Sequence, residues 1–418
     1  MIKDTMEATM PAKRYFFLIL ILGTLTALGP FSIDMYLPGF ESIARDLNVT
    51  TTEVGFSLSS YFIGISAGQL LYGPLLDRFG RKKPLYIGLV LYIIASAGCI
   101  TARSLDALVI LRFFQAIGSC AAAVASIAMV RDLFPVKDSA KVFALLMLVV
   151  GASPMIAPTV GGYVTTAFGW QAVFIILGIM GVLILLASIF FLPESYQPDK
   201  TMSLMPGPIL QNFLSVIRIP QFYSYALTGA LAFSGLFAYV SGSPVMFMEI
   251  FNLSKNTYGW IFAGLSVGFI GSSQLNSLVL RRYRSDQIII VALICQAIVA
   301  VIFLAGTYYG WYGLPATIVM LFLFLSCLGF ANPNASALSI APFKKNAGSA
   351  AALMGALQMS IGALASVGVS MFNTHNALPM VSIMAASALL GVLTLVIGRK
   401  QIGHPVLMQE GEEVVITH

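Results

Sequence analysis

Between two apolar runs, 53–76 and 84–102, the chain reads Gly73-Pro74-Leu75-Leu76-Asp77-Arg78-Phe79-Gly80-Arg81-Lys82-Lys83-Pro84. Glycine and proline permit a sharp reversal here. Four cations, Arg78, Arg81, Lys82 and Lys83, crowd the turn beside one carboxylate, Asp77. At the C-terminal end of a helix that carboxylate is unfavourable unless nearby cations pair with it. A cation-packed reversal between two long apolar runs describes a chain that crosses a bilayer, turns in water and crosses back.

The same pattern continues on both sides. Hydrophobic residues make up 58% of the 418 positions and charged residues 10%, with a mean hydropathy of +0.89. Soluble domains carry about 25% charged residues, so this composition cannot cover a water-facing surface of normal polarity. A bilayer core about 30 Å thick needs about 20 apolar residues per helical crossing, and backbone amides in lipid must be satisfied within the segment. Twelve helices are predicted, over 15–39, 53–76, 84–102, 105–131, 138–166, 170–192, 222–250, 256–280, 287–309, 313–341, 348–373 and 377–398. The fold class is an all-α membrane protein, and the alternation of a membrane β-barrel is absent.

The run after Lys13 and Arg14 is too long for a signal-peptide core and lacks a small-residue cleavage site, so it reads as a retained first helix. The longest polar interruption, 193–221, holds Pro193, Pro198, Pro206, Pro208 and Pro220. It predicts an irregular connection between two six-helix halves, 15–192 and 222–398, flanked by segments 1–14 and 399–418.

Basic residues set the orientation. With the N-terminus inside, the outer loops hold only Arg45, Arg103 and Lys255, Arg112 lies within a helix, and every other Lys and Arg falls inside. The net charge of +6 therefore reports topology and needs no nucleic-acid partner. Both termini are expected in the cytoplasm, and the inner membrane is the expected location. Cys99, Cys120, Cys295 and Cys327 lie scattered in apolar runs without metal spacing or a disulfide framework. There is no P-loop, and His375, His404 and His418 lie away from any acidic partner. Nothing points to an enzyme, a metal or a cofactor.

Three intramembrane features carry chemistry. Arg112, in Leu111-Arg112-Phe113-Phe114-Gln115, sits roughly 10 Å inside the run 105–131. A cation there costs several kcal/mol, so it reads either as functional or as snorkelling to the surface. Gln115 and Ser119 share its helical stripe. Asp34, in Ser32-Ile33-Asp34-Met35-Tyr36-Leu37-Pro38, lies at similar depth in the first run. The two charges are expected to pair across a central cavity, unless Asp34 is an interfacial cap beside Pro38. Burial favours the neutral carboxyl and a cation the ionised one, so Asp34 could load and release a proton in competition with substrate. Third, Gly151, Pro154, Pro158, Gly161 and Gly162 fall on one face of the run 138–166, where small residues allow close approach and the prolines loosen the backbone.

In the second half Glu249, after Ser243-Pro244, reads either as interfacial or as a second titratable site. Tyr36, Phe233, Phe237, Tyr239, Gln274, Asn276, Asn332, Asn334 and Gln358 supply the aromatics and amides that suit a cavity for amphipathic molecules.

The 73–84 segment resembles motif A of the major facilitator superfamily, matching at Gly73, Leu75, Asp77, Arg78, Gly80, Arg81 and Lys82. The resemblance implies a latch in which Asp77 and Arg81 help hold two halves in an outward-facing state; its second-half counterpart keeps only Arg281, Arg282 and Arg284. The Arg112 segment resembles motif B, which implies a part in proton coupling. The 151–162 segment resembles the antiporter motif C, with Ala157 in place of a glycine. With Met129-Val130-Arg131-Asp132, these features resemble the Bcr/CflA branch of drug:proton antiporters. That likeness implies a monomeric, proton-coupled exporter of small lipophilic compounds working by alternating access. A metabolite or amino-acid exporter on the same fold is the alternative, and a sensor that has lost transport a more distant one.

Overall fold

A computed structural model describes residues 12–134, 136–198, 206–343, 347–372 and 376–402; the three histidines fall outside them. The described residues form helices and no strands. In chain order these are α1 (Ala12–Asp34), α2 (Phe40–Leu47), α3 (Thr51–Phe79), α4 (Lys82–Ile100), α5 (Leu105–Leu133), α6 (Val136–Phe168) and α7 (Gln171–Phe191). The others are α8 (Pro206–Ile217), α9 (Pro220–Pro244), α10 (Lys255–Val279), α11 (Ser285–Tyr308), α12 (Leu314–Ile340), α13 (Ala347–Met371) and α14 (Leu378–Gln401).

Twelve of these have 19 residues or more, as the apolar runs predict. Among the described residues ten spans are long and apolar enough to cross a membrane on length and composition alone. The remaining two long helices, α6 and α10, pack against each other, and their glycines and hydroxyls suit a helix–helix contact better than lipid. The outer perimeter is an apolar belt including Ile87, Ile94, Phe190, Val291, Ile298 and Leu364, all exposed. Helices α1 and α3 to α7 pack among themselves, as do α9 to α14; the two six-helix bundles meet mainly through α3 with α13 and α6 with α10. Hydroxyls stitch the first seam: Ser59 Oγ lies 2.7 Å from Ser366 Oγ, and Ser66 Oγ 2.7 Å from Ser360 Oγ.

Two expectations are corrected. The first run does not stay one helix to position 39: α1 ends at Asp34, and Leu37–Gly39 forms a 3₁₀ turn with Pro38 in its first turn. Proline has no N–H to continue the α1 ladder, so Asp34 becomes a helix terminus. The connection 193–221 is also not irregular throughout. It contains α8, whose Pro206 and Pro208 fall in the first turn, where a missing N–H costs nothing. Phe213 and Val216 of α8 pack with Phe222 and Ala226 of α9 and Leu353 of α13. In the second half, α9 passes through Pro244 into a π-helical turn, Val245–Ile250, which carries half-buried Glu249.

Candidate functional site

Arg112, two turns into α5, is wholly buried. Its Nη1 donates to Gln115 Oε1 at 2.6 Å and its Nη2 to the Ser32 carbonyl at 2.9 Å. The guanidinium carbon lies 4.2 Å from the Tyr36 ring centroid and 4.1 Å from that of Tyr61, with Phe174 at 5.8 Å. Two aromatic faces, each worth about 2 kcal/mol when desolvated, together with charge-assisted hydrogen bonds, offset much of the cost of burying the cation. The Ser32 carbonyl adds the negative end of the α1 dipole, being one of its last-turn acceptors. Around this centre, Gln115 Nε2 donates to Ser96 Oγ at 2.8 Å. Ser32 Oγ is 2.7 Å from Tyr92 Oη, Ser119 Oγ 2.7 Å from Tyr61 Oη, and Tyr36 Oη 3.2 Å from Ser57 Oγ. The result is a polar web joining α1, α3, α4 and α5.

Asp34, the last residue of α1, is 5% exposed. It makes no ion pair or hydrogen bond among the described residues. The expected Asp34–Arg112 pair is therefore not formed, and helical geometry gives the reason. Ser32 faces Arg112, and a residue two positions on is turned by about 200° around the axis. Asp34 lies instead in the neighbourhood of Tyr239 of α9 and Tyr258 of α10, both in the second half. Tyr239 is buried with its hydroxyl unpartnered, and its ring stacks on Phe262 at 5.4 Å. The Tyr258 hydroxyl lies 2.9 Å from Ser243 Oγ.

The α6 glycines meet both halves at this level. A Cβ on Gly161 would overlap the Met35 carbonyl oxygen, just beyond Asp34, and one on Gly162 would lie 2.7 Å from the Lys255 carbonyl oxygen. Pro158 backs onto Gly259, and Gly151 faces Ile270. The Thr159 hydroxyl donates to the Gly259 carbonyl at 3.2 Å, and Lys255 Nζ donates across the halves to Ser42 Oγ. The end of the molecule away from the basic loops is thus closed by backbone-to-backbone contact that only glycine permits.

At the other end, Gly80 adopts φ +83°, which turns the chain between α3 and α4. Arg81 Nη1 donates to Asp77 Oδ1 at 2.8 Å and its Nε to Asp132 Oδ2 at 2.7 Å, and its guanidinium covers the Tyr196 ring at 4.2 Å. Glu194 accepts from the backbone N–H of Arg81 at 2.8 Å and of Lys82 at 3.2 Å. Burial disfavours the charge on Arg81, but hydrogen bonds and attraction from Asp132 and Asp77 outweigh it and raise its pKa above the ordinary value. Asp77 and Asp132 belong to the first half, and Glu194 and Tyr196 to the start of the connection that follows it. Gly73 faces open space, and the Arg78 guanidinium lies 5.8 Å from the Phe79 ring centroid. Sequence reasoning missed Glu194 and Tyr196 as parts of this cluster. Asp132 was visible only as part of the Met129–Asp132 segment.

A match to the Major Facilitator Superfamily covers residues 21–367. The chain belongs to that family. It is 32% identical over 384 residues to "Uncharacterized MFS-type transporter YdgK" of Bacillus subtilis, spanning 91% of this chain and 95% of that protein. It is 31% identical to the "Bicyclomycin resistance protein homolog" of Haemophilus influenzae, over 91% of this chain and 96% of that one. To "Multidrug resistance protein MdtL" of Shigella flexneri it is 30% identical, over 89% and 93%. The crystal structure of a D-xylose-proton symporter superposes with a TM-score of 0.73 at 17% identity, covering 92% of this chain and 97% of that one; it shares the fold. This major facilitator is accordingly a multi-pass membrane transporter, of a family that carries small molecules, commonly with protons.

In this major facilitator the remaining expected cavity residues separate into groups. Tyr36, Gln115 and Ser119 do not line an open cavity; they are spent on the web around Arg112. Asn334 is buried and donates to Asn276 Oδ1 at 2.7 Å, joining α12 to α10. Phe237 meets Phe62 of the other half at 4.3 Å and Phe233 at 5.3 Å. Gln358 donates to Asn332 Oδ1 at 2.8 Å, both half-buried. Phe237 and Tyr239 are buried, and Phe233 is half-buried.

Proposed function

We propose that this protein is a proton-coupled exporter of small amphipathic drugs. It would lie in the bacterial inner membrane as a monomer, with both termini and the 193–221 connection on the cytoplasmic side. The names of the relatives from Haemophilus influenzae and Shigella flexneri support the substrate class. The gathering of other basic residues on the face opposite Arg45, Arg103 and Lys255 supports the orientation. One observation carries the coupling: a buried carboxyl, Asp34, stands at the end of α1 without a partner, while Arg112 grips that same helix end two residues earlier.

In this reading Asp34 is the proton carrier and Arg112 its positioning residue. Arg112 fixes the last turn of α1 through the Ser32 carbonyl, so that Asp34 faces Tyr239 and the second half. Protons reach Asp34 from the periplasmic side when the Gly161–Met35 and Lys255–Ser42 contacts part. Substrate and proton then compete for the same carboxylate as the halves rock about α3–α13 and α6–α10. The lipophilic part of the substrate rests against Phe233 and Phe237.

The test uses everted vesicles and a panel of amphipathic drugs, with the pH gradient imposed and then collapsed. Drug addition is expected to release protons from wild-type vesicles, and Asp34→Asn to abolish that movement while the protein still reaches the membrane. Coupled exchange at the wild-type level in Asp34→Asn would remove Asp34 from the mechanism.

A further inference from the structure

On the membrane-facing surface of the first half, Ile93, Ala97 and Ile100 of α4 and Phe174, Gly178 and Val182 of α7 enclose a groove of about 300 Å³. No polar side chain lines it. Its rim is formed by exposed Ile175, Ile179 and Leu183. Gly178 forms part of its wall, and a Cβ there would meet only Ser96 Cβ, at 3.7 Å. It lies along the last two turns of α4 and the first three of α7, so it opens into the leaflet opposite the basic loops. From Ile93 to Ile100 it runs about 10 Å along the helix, within the roughly 15 Å depth of one leaflet.

We propose that this groove holds one acyl chain of a phospholipid from that leaflet. Water cannot fill it, because a site without polar groups offers water no hydrogen bonds. An empty groove would leave its walls without dispersion partners on one side. A chain inserted from the leaflet meets apolar surface on both flanks and at the floor. Arg103, exposed three residues beyond Ile100 at the same end of α4, supplies a cation at headgroup level for the phosphate. The site's importance lies in its floor. Phe174 is buried with its ring 6.0 Å from that of Tyr36 and 5.8 Å from the Arg112 guanidinium. The bound chain is therefore the outer wall of the stack that holds Arg112.

Trp170 reports on the site, since its ring lies 6.0 Å from Phe174. Trp260 and Trp311, both exposed, are changed to Phe to remove direct quenching by bulk lipid. The full-length protein is reconstituted in vesicles of phosphatidylglycerol with brominated acyl chains mixed in increasing ratio with unbrominated lipid. Trp170 quenching is expected to saturate at a low brominated fraction, to weaken in Gly178→Ala and to be lost in Gly178→Leu, whose side chain occupies the groove. Thermal melting confirms that each variant is folded; the alanine variant, with only an ordinary contact at Ser96, keeps the test decisive if leucine is not tolerated. Equal quenching in parent and folded variants, or none in the parent, overturns the proposal. So does saturable relief of quenching by tetraphenylphosphonium, which would make the groove a site for lipophilic solutes. Because the readout is fluorescence, the result is independent of whether the protein exports drugs.

Discussion

Gly161 of α6 lies so close to the Met35 carbonyl that no side chain fits between them. This contact sets the antiporter-like helix directly against the residue that follows Asp34. Gly162, its neighbour, rests on the Lys255 carbonyl of the other half. Two consecutive glycines thus connect the carboxyl-bearing end of α1 to α10, and closure of this end depends on their lack of Cβ.

Gly161→Ala tests that dependence. An added methyl must push α1 away from α6, and overpacking of this kind costs about 1–3 kcal/mol. The variant is expected to favour the state open at this end. A disulfide between cysteines placed at Ser42 and Lys255 should form readily in the parent and several-fold less in Gly161→Ala, with transport reduced in parallel. An unchanged cross-linking yield would show that α1 and α6 separate without loosening the Lys255–Ser42 closure.

Arg112→Met separates function from stability. Among the described residues no carboxylate pairs with the guanidinium, so removing it strands no opposite charge, and replacing a buried charge with an apolar side chain is often neutral or stabilising. Lost hydrogen bonds to Gln115 and Ser32 work against this by about 1–3 kcal/mol. Thermal stability is expected to stay within about 2 kcal/mol of wild type, whereas proton-coupled transport should be lost. A strongly destabilised but transport-competent Arg112→Met would reverse the roles assigned here.

The pH dependence of transport distinguishes Asp34 from Arg81. Because the pKa of Arg81 is raised above its ordinary value, its contribution to stability is fully present below the unfolded pKa and is lost only as pH rises through the higher folded one, far above the physiological range. Arg81→Lys should therefore lower the transport rate by a constant factor across the physiological range and leave the profile's shape unchanged. Asp34→Asn should flatten any profile that remains. A changed profile shape in Arg81→Lys would place a titrating partner in the Arg81 cluster.

Asp132→Asn removes one of two carboxylates that neutralise Arg81. A hydrogen bond to a charged group contributes about 1.5–3 kcal/mol, so the melting temperature should fall, with Asp77→Asn less damaging because Asp77 is the more exposed partner. Melting curves of the two variants side by side check the order.

The fold was legible because bilayer physics leaves few options. Apolar runs of bilayer length must be helices, so the count of twelve followed from composition, and the basic turn at 78–83 indicated which ends share a side. That Asp34 and Arg112 are buried charges was legible for a related reason: a charge within an apolar run is costly enough to stand out. The direction each one faces was not. Arg112 turns to the Ser32 carbonyl and two tyrosine faces, while Asp34, about 200° round the same helix end, turns to the other half. The two charges share a depth without pairing.

Helix α8 was missed because prolines were read as breakers when two of them occupy a first turn. Glu194 and Tyr196 were missed because a loop residue's partner depends on how the chain returns. Residue type alone therefore established that this chain spans a membrane and where its buried charges lie. Only the packing of α1 against α5, α6 and the second half decided what those charges touch, because contacts between distant segments depend on helix rotation and closeness, which composition and spacing do not specify.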